Sequence, residues 1–328
     1  MAGCGGIARQ YHLRALRRMR GASVVAVADP DPSARDAAAQ ATGAQPYADA
    51  HEAIAHPDVD AVVVCAPNAH HADLAVAALD AGRHLYLEKP LAVDGAGGRR
   101  VVAAAEQTDA VSAVGLGFRF DPLYARVRSA LPAIGRLREV STTWTEPASP
   151  AGMPSWKRLR SSGGGVLLDL GVHHLDLLRW LAGQSIADVG RVTLTSEHGD
   201  HDAAHFDAAL SGGASLEASF GYGAERRCGW VFAGSEGWLA VDRCARRMTL
   251  ALGDSRPGSR PRVDALRTRL RGLPVVRRER VFGRALRAWA GCVAGEPRPP
   301  ELATVHDGLR ALEAVESIEA AAPVPVNV

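Results

Sequence analysis

Lysine is nearly absent from this chain. Of its 38 basic residues only Lys89 and Lys157 are lysine, and asparagine occurs only at Asn68 and Asn327. With abundant Ala, Gly, Pro and Arg, this bias reads as GC-rich coding, and it singles out the few lysines and asparagines that persist. No run of about 18 apolar residues occurs, so no membrane span and no membrane partner is expected. No basic segment followed by an apolar one opens the chain, so no secretory leader is expected either. The five cysteines, Cys4, Cys65, Cys228, Cys244 and Cys292, are odd in number and lack metal-ligand spacing. They read as unpaired thiols of a cytoplasmic protein. A net charge of +2 lacks the excess of a nucleic-acid binder. The arginine-rich stretch Arg256–Arg287 therefore reads as solvated loop, and no nucleic-acid partner is expected.

What is present has an alternating grammar. A helical pattern from Ile7 to Arg20 ends at Gly21, and "SVVAVAD" is a continuous apolar run, the mark of a strand buried on both faces. Asp31 opens a second helix. "HPDVDAVVVCAPN", "HLYLEKP" and "AVSAVGLGF" are further strands, separated by the helices "HHADLAVAALDAGR" and Asp94 to Gln107. This spacing predicts an α/β fold with a doubly wound parallel sheet over residues 1–118. Beyond Phe118 strands follow one another with few helices: "LREVSTTWTE", "GRVTLTSE", "HFDAAL", "ASLEASFGY", "CGWVFAGS", "GWLAVD" and "RMTLAL". Residues 119–328 thus read as an α+β domain built on one open, largely antiparallel sheet, with closing helices at Phe282–Ala294 and Val305–Ala322.

Four stretches carry residues able to do chemistry. In "MAGCGGIARQ", Gly3, Gly5 and Ala8 fit the G-x-G-x-x-G/A turn of a dinucleotide loop, with Gly6 and Ile7 inside it. Asp29 ends the next strand where a carboxylate meets an adenosine ribose, which favours NAD. A helix-flanking cap beside Pro30 is the plainer alternative, and Arg35 leaves NADP open. "APNAHH" and "LEKP" end two strands at the edge where open sheets bind ligands, placing Asn68 and Lys89 there. A turn residue and a surface lysine are their plainer readings. "GGGVLLDLGVHHLD" sets Asp169 and His173 four apart on one helix face, with Asp176 near and His174 turned away. The competing reading is a charge pair on a solvated face, but the helix is otherwise apolar. "EHGDHDAAHFD" gathers His198, His201 and His205 without a metal-site pattern, so no metal is assigned.

The glycine loop, "PNAHH", "AGRHLYLEKPLA" and "GGGVLLDLGVHHLDLL" together resemble the Gfo/Idh/MocA oxidoreductases over nearly the whole chain. The resemblance implies a Rossmann domain that binds NAD(P), and a sheet domain that meets substrate and joins subunits into a homo-oligomer. It implies that Lys89, Asp169 and His173 form the catalytic group. Pro67, Asn68, His71, Glu88 and Lys89 would join Gly3, Gly5, Gly6, Ile7, Ala8 and Asp29 around the cofactor. The Lys89–Pro90 peptide is expected to be cis. The implied reaction moves a hydride between a sugar, polyol or related secondary alcohol and nicotinamide. A non-catalytic NAD-binding regulator is the competing class, and a truncated inactive form a third. Relatives read G-F-N-R-R-F where this chain has "GLGFRF", keeping Arg119 but with Gly117 and Phe118 in place of a polar pair.

The opening residues depart from the pattern too. A doubly wound sheet has a central strand before the glycine loop, and here only Met1 and Ala2 precede Gly3. The expectation is that about 5–10 further apolar residues belong upstream. In the chain as written, the central position should then be empty or filled only by Met1 and Ala2.

Overall fold

The computed structural model describes residues 1–147, 153–196, 199–223, 225–253 and 278–323. It divides into two compact units. The first comprises Met1–Phe120, Ser161–Gly163 and the described part of Val276–Leu312. The second comprises the remainder. Among the described residues no helix is long and apolar enough to cross a membrane.

In the first unit β1 (Ala26–Ala28) pairs in parallel with β2 (Gln45–Tyr47), and β3 (Ala61–Val64), β4 (His84–Leu87) and β5 (Ser112–Val114) form a parallel trio. Ala2 bridges the two sets, in parallel with both Ala28 and Val64. Its N–H donates to Val63 O at 2.9 Å, and its carbonyl accepts from Cys65 N at 2.7 Å. On the other side Ala28 N donates to Met1 O, and Gly3 N to Ala28 O, both at 2.9 Å. The central position is thus filled by Met1 and Ala2. The terminal ammonium donates to Ala26 O at 2.9 Å, and burial pushes its pKa below the ordinary value.

These strands are apolar throughout because both faces are covered. Val62, Val64, Leu85 and Leu87 pack on one side with Leu74, Leu79 and Val101. Val63, Tyr86 and Ala113 pack on the other with Leu286 and Trp289. The crossover helices are α1 (Leu13–Leu16, continuing a π-helical turn over Ala8–His12), α2 (Pro32–Thr42), α3 (Ala50–Ile54), α4 (His71–Asp80) and α5 (Gly95–Glu106). Asp31, Asp49 and Asp94 cap α2, α3 and α5 by accepting from Ser33, His51 and Gly97 N–H groups. The short elements β2 and α3 are additions to the sequence expectation, and so is α6 (Pro122–Ala130) in the second unit.

The second unit is a seven-stranded sheet of β6 (Leu137–Pro147), β7 (Ile186–Thr195), β8 (Ala203–Leu210), β9 (Ser215–Gly223), β10 (Arg227–Gly234), β11 (Gly237–Asp242) and β12 (Arg247–Leu252). The order is β12-β11-β10-β6-β9-β8-β7, and only β6 and β9 are parallel. Val140, Phe206 and Leu216 are buried between exposed neighbours, as a sheet with one covered face requires, and Trp144 and Phe220 are buried on the same strands. A single turn, α7 (Ser155–Arg158), precedes the triple glycine. A π-helical turn over Leu167–Gly171 then runs into α8 (Val172–Ala182), which Gly183 ends at φ +65°. The chain closes with α9 (Arg278–Val293) and α10 (Val305–Ala321). Helix α9 and the start of α10 group with the first unit, although the linear order suggested a boundary at residue 118.

Candidate functional site

The glycine loop is fixed by what surrounds it. Gly3 has φ +91°, and a Cβ there would come within 2.5 Å of the Cys65 carbonyl carbon, so only glycine fits. In front of Gly5 nothing lies within 4 Å of where a Cβ would sit, which leaves the open approach a pyrophosphate needs. Ala8 is fully buried, while Ile7 is largely exposed. At the end of β1 the Asp29 carboxylate accepts from Cys4 N–H at 2.7 Å and from Asp31 N–H at 2.9 Å. Loop and acidic residue are thereby locked together. Arg35 reaches the Asp29 carbonyl at 3.2 Å and pairs with Asp36. This cradle fits a dinucleotide.

The ends of β3 and β4 are tied by His71. Its buried ring lies 2.6 Å from Pro90 O through Nδ1 and 2.9 Å from Ala66 O through Nε2. Burial holds its pKa below the ordinary value even though both carbonyls pull the other way. Pro67 is exposed, and Asn68 donates to Gly163 O at 2.7 Å. The Lys89–Pro90 peptide is cis, as expected, and Lys89 is half-buried. Glu88 is turned inward. Its Oε1 lies 2.6 Å from Nε2 of the fully buried His12, and its Oε2 accepts from Lys89 N–H at 3.2 Å. A Cβ on Gly115 would come within 2.9 Å of the Glu88 carboxyl carbon, so the carboxylate takes the room that glycine leaves. His12 is a site neighbour that sequence reasoning missed, since a helical histidine gives no sign of its distant partner.

In the second unit Asp169 lies in the π-helical turn and His173 in the first turn of α8. The expected plain α-helix is therefore wound more widely at Asp169, a feature frequent at functional sites. The Asp169 carboxylate meets the Lys157 ammonium at 3.3 Å from both oxygens and accepts from the Tyr222 hydroxyl at 3.0 Å. Burial and Asp169 together push the Tyr222 pKa far up. Neither Lys157 nor Tyr222 was a candidate in the sequence; the rarity of lysine was the available signal for the first, and nothing marked the second. His173 is buried, with its ring 5.6 Å from that of Trp144. Asp176 is buried as well. His174 faces the sheet, stacked 4.7 Å from Trp230, its Nδ1 2.6 Å from Thr142 Oγ1 and its Nε2 3.5 Å from Cys228 Sγ. Burial lowers its pKa to about 3, so it is a neutral core ring.

Residues 1–116 match the family described as oxidoreductase family, NAD-binding Rossmann fold, and residues 124–240 match the GFO/IDH/MocA C-terminal domain. The chain belongs to the Gfo/Idh/MocA oxidoreductase family. Inositol 2-dehydrogenase of Rhizobium meliloti (strain 1021) is 35% identical over 192 residues, 58% of this chain and 56% of that protein. The rhizopine catabolism protein MocA of Rhizobium meliloti is 31% identical over 219 residues, covering 65% and 67%. With two of the curated relatives it matches, the chain spans only about half their length, 51% and 56%. Among solved structures, the WlbA dehydrogenase from Bordetella pertussis in complex with NADH and UDP-GlcNAcA superposes with a TM-score of 0.81. That match covers 99% of this chain and 97% of that one at 21% identity. A levoglucosan dehydrogenase complex with NADH and levoglucosan gives a TM-score of 0.81, covering 98% and 95% at 20% identity. At these identities the two structures show the shared fold.

Against the Gfo/Idh/MocA pattern, the "GLGFRF" segment places Arg119 inside the first unit. Arg119 is buried and its Nη1 donates to Asp307 Oδ2 at 3.2 Å. That guanidinium and the Thr304 donors hold the Asp307 carboxyl below its usual range despite burial. The histidine cluster takes separate partners: His201 pairs with Glu319 at 3.4 Å, and His205 lies 2.8 Å from Ser219 Oγ. His198 lies outside the described residues, as do residues 256–277 of the arginine-rich stretch.

Proposed function

We propose that this chain is an NAD-dependent dehydrogenase of polyols or sugars, with Lys89, Asp169 and His173 as its catalytic group. The observation that carries the reading is a charged cluster kept on an apolar helix. Asp169 meets Lys157 and Tyr222 there, and His173 follows one turn on, in a helix whose buried side chains are mostly apolar. A protein that only bound NAD would have no need of this cluster.

Gly3, Gly5, Gly6, Ile7 and Ala8 would hold the pyrophosphate, Asp29 the adenosine ribose, and Pro67, Asn68 and His71 would shape the strand-end edge beside it. The bound nicotinamide supplies the hydride acceptor or donor. His173 takes the proton of the substrate hydroxyl, Lys89 holds that oxygen as charge grows on it, and Asp169 orients the imidazole or the substrate. Glu88 acts on Lys89 from behind, through its backbone. The names of relatives point to inositols and related polyols as first substrates to try. The unpaired thiols suit a cytoplasmic enzyme. Self-association through the outward sheet face, where Ser141, Val231 and Ala240 stand side by side, completes the reading.

The test is a rate assay with NAD and NADP over a panel of inositols, sugars and other polyols. His173→Asn should lower kcat on the order of 100-fold and leave NADH binding nearly unchanged. A chain that binds NADH tightly but turns over no member of the panel is a regulator instead.

A further inference from the structure

The second of the two lysines sits on Asp169, and the backbone holds it there. Gly165 N–H donates to the Lys157 carbonyl at 3.1 Å. A Cβ on Gly164 would come 2.5 Å from the Lys157 carbonyl carbon, so the triple glycine lets α7 press against the turn that leads to Asp169. The Lys157 side chain is 33% exposed and that of Asp169 21%. A pair this open to water adds little to folding. Its backbone crossing nevertheless tolerates only glycine, which points to a pair kept for its chemistry. Arginine is the basic residue almost everywhere else in the chain, and its planar fork would grip a carboxylate at least as well. Lysine supplies a compact ammonium instead, equidistant from both oxygens, with the Trp156 ring 5.6 Å from Nζ.

We propose that Lys157 is a positioning residue of the reaction: with the Tyr222 hydroxyl it fixes the charge and direction of the Asp169 carboxylate. The proposal deepens the dehydrogenase reading and rests on it. Held by an ammonium on one side and a hydroxyl on the other, Asp169 is a rigid acceptor for the group it orients. Without the ammonium the carboxylate loses one of the contacts that fix its direction, and the reacting groups lose alignment.

The experiment compares the full chain with K157R and K157M. Expected is a graded loss of kcat, about threefold to tenfold for K157R and about 10- to 100-fold for K157M, with polyol KM little changed. NADH affinity and Tm should stay at wild-type values, which a merely structural lysine would not allow. A second arm needs no turnover. Amine acylation read by mass spectrometry should modify Lys157 at least about threefold faster in D169N than in wild type, because the carboxylate that shields the ammonium is gone. Wild-type kcat in K157M overturns the proposal, as does a loss of rate accompanied by equal losses of Tm and NADH affinity. Unchanged Lys157 labelling in D169N also overturns it. A wild-type chain silent on every polyol sinks the dehydrogenase reading alone, and the labelling then upholds or overturns the Lys157–Asp169 pair by itself.

Discussion

At His174 one buried ring links acid stability to the core of the second unit. Its pKa drops from 6.5 to about 3 because burial penalises the charged form. Between those values the unfolded chain holds the extra proton, so the contribution is complete above pH 6.5 and shrinks as pH falls toward 3. At pH 5 the loss is about 2 kcal/mol. Urea melts at pH 7 and pH 5 should show this loss in wild type and a smaller one in His174→Gln. Parallel losses in both would assign the acid sensitivity elsewhere. Asp29 gives a second expectation. Its carboxylate is fixed by Cys4 and Asp31 N–H groups, so NAD should bind about 10- to 1,000-fold more tightly than NADP in equilibrium titrations. Equal affinities would shift attention to Arg35. Asp29, Asp169 and His173 were visible in the sequence because each belongs to a motif with a fixed offset. His12 and Tyr222 were not, because each reaches its partner across the fold and no local pattern records the meeting, and Lys157 was marked only by its rarity.

Among the elements, the long strands and helices were legible and the short ones were not. The apolar runs of β3 and β4 and the alternation of β8 and β9 announce themselves through burial on two faces or one. β2 has three residues, of which Pro46 is exposed, and a proline there reads as loop rather than as edge strand. The start of α6 is written as Asp121–Pro122, but nine residues are too few for a periodicity to declare itself. Helix α5 shows what a helix poor in propensity relies on. Its glycines include Gly98, where a Cβ would come within 2.9 Å of Leu309 Cδ1, so close packing replaces intrinsic preference. Its Asp94 cap accepts from Gly97 N–H at 2.7 Å, and Asp94→Ala should cost about 1 kcal/mol in a denaturant melt. No measurable change would mean that the packing alone sets the helix start.

On the scale of the whole molecule, the parallel sheet needs a cover for its second face, and the chain supplies it from 200 or more residues downstream. Leu286 and Trp289 of α9 close over Val63 and Tyr86, an arrangement that linear reading cannot show because helix periodicity names a buried face without naming its partner. The outward face of the seven-stranded sheet is the surface proposed for self-association. Val231 stands there between Ser141 and Ala240, and Val231→Arg should convert a self-associated form to single chains in sedimentation velocity. Wild type sedimenting as a single chain would remove that role. The scarcity of lysine has a practical consequence as well. A lysine-specific protease has two bonds to cut, and the one after Lys89 is blocked by the proline that follows. The other follows Lys157, whose carbonyl is hydrogen-bonded to Gly165 N–H and pressed against Gly164. Cleavage into residues 1–157 and 158–328 must therefore wait for one helical turn to open, and its rate is a clock for that local motion.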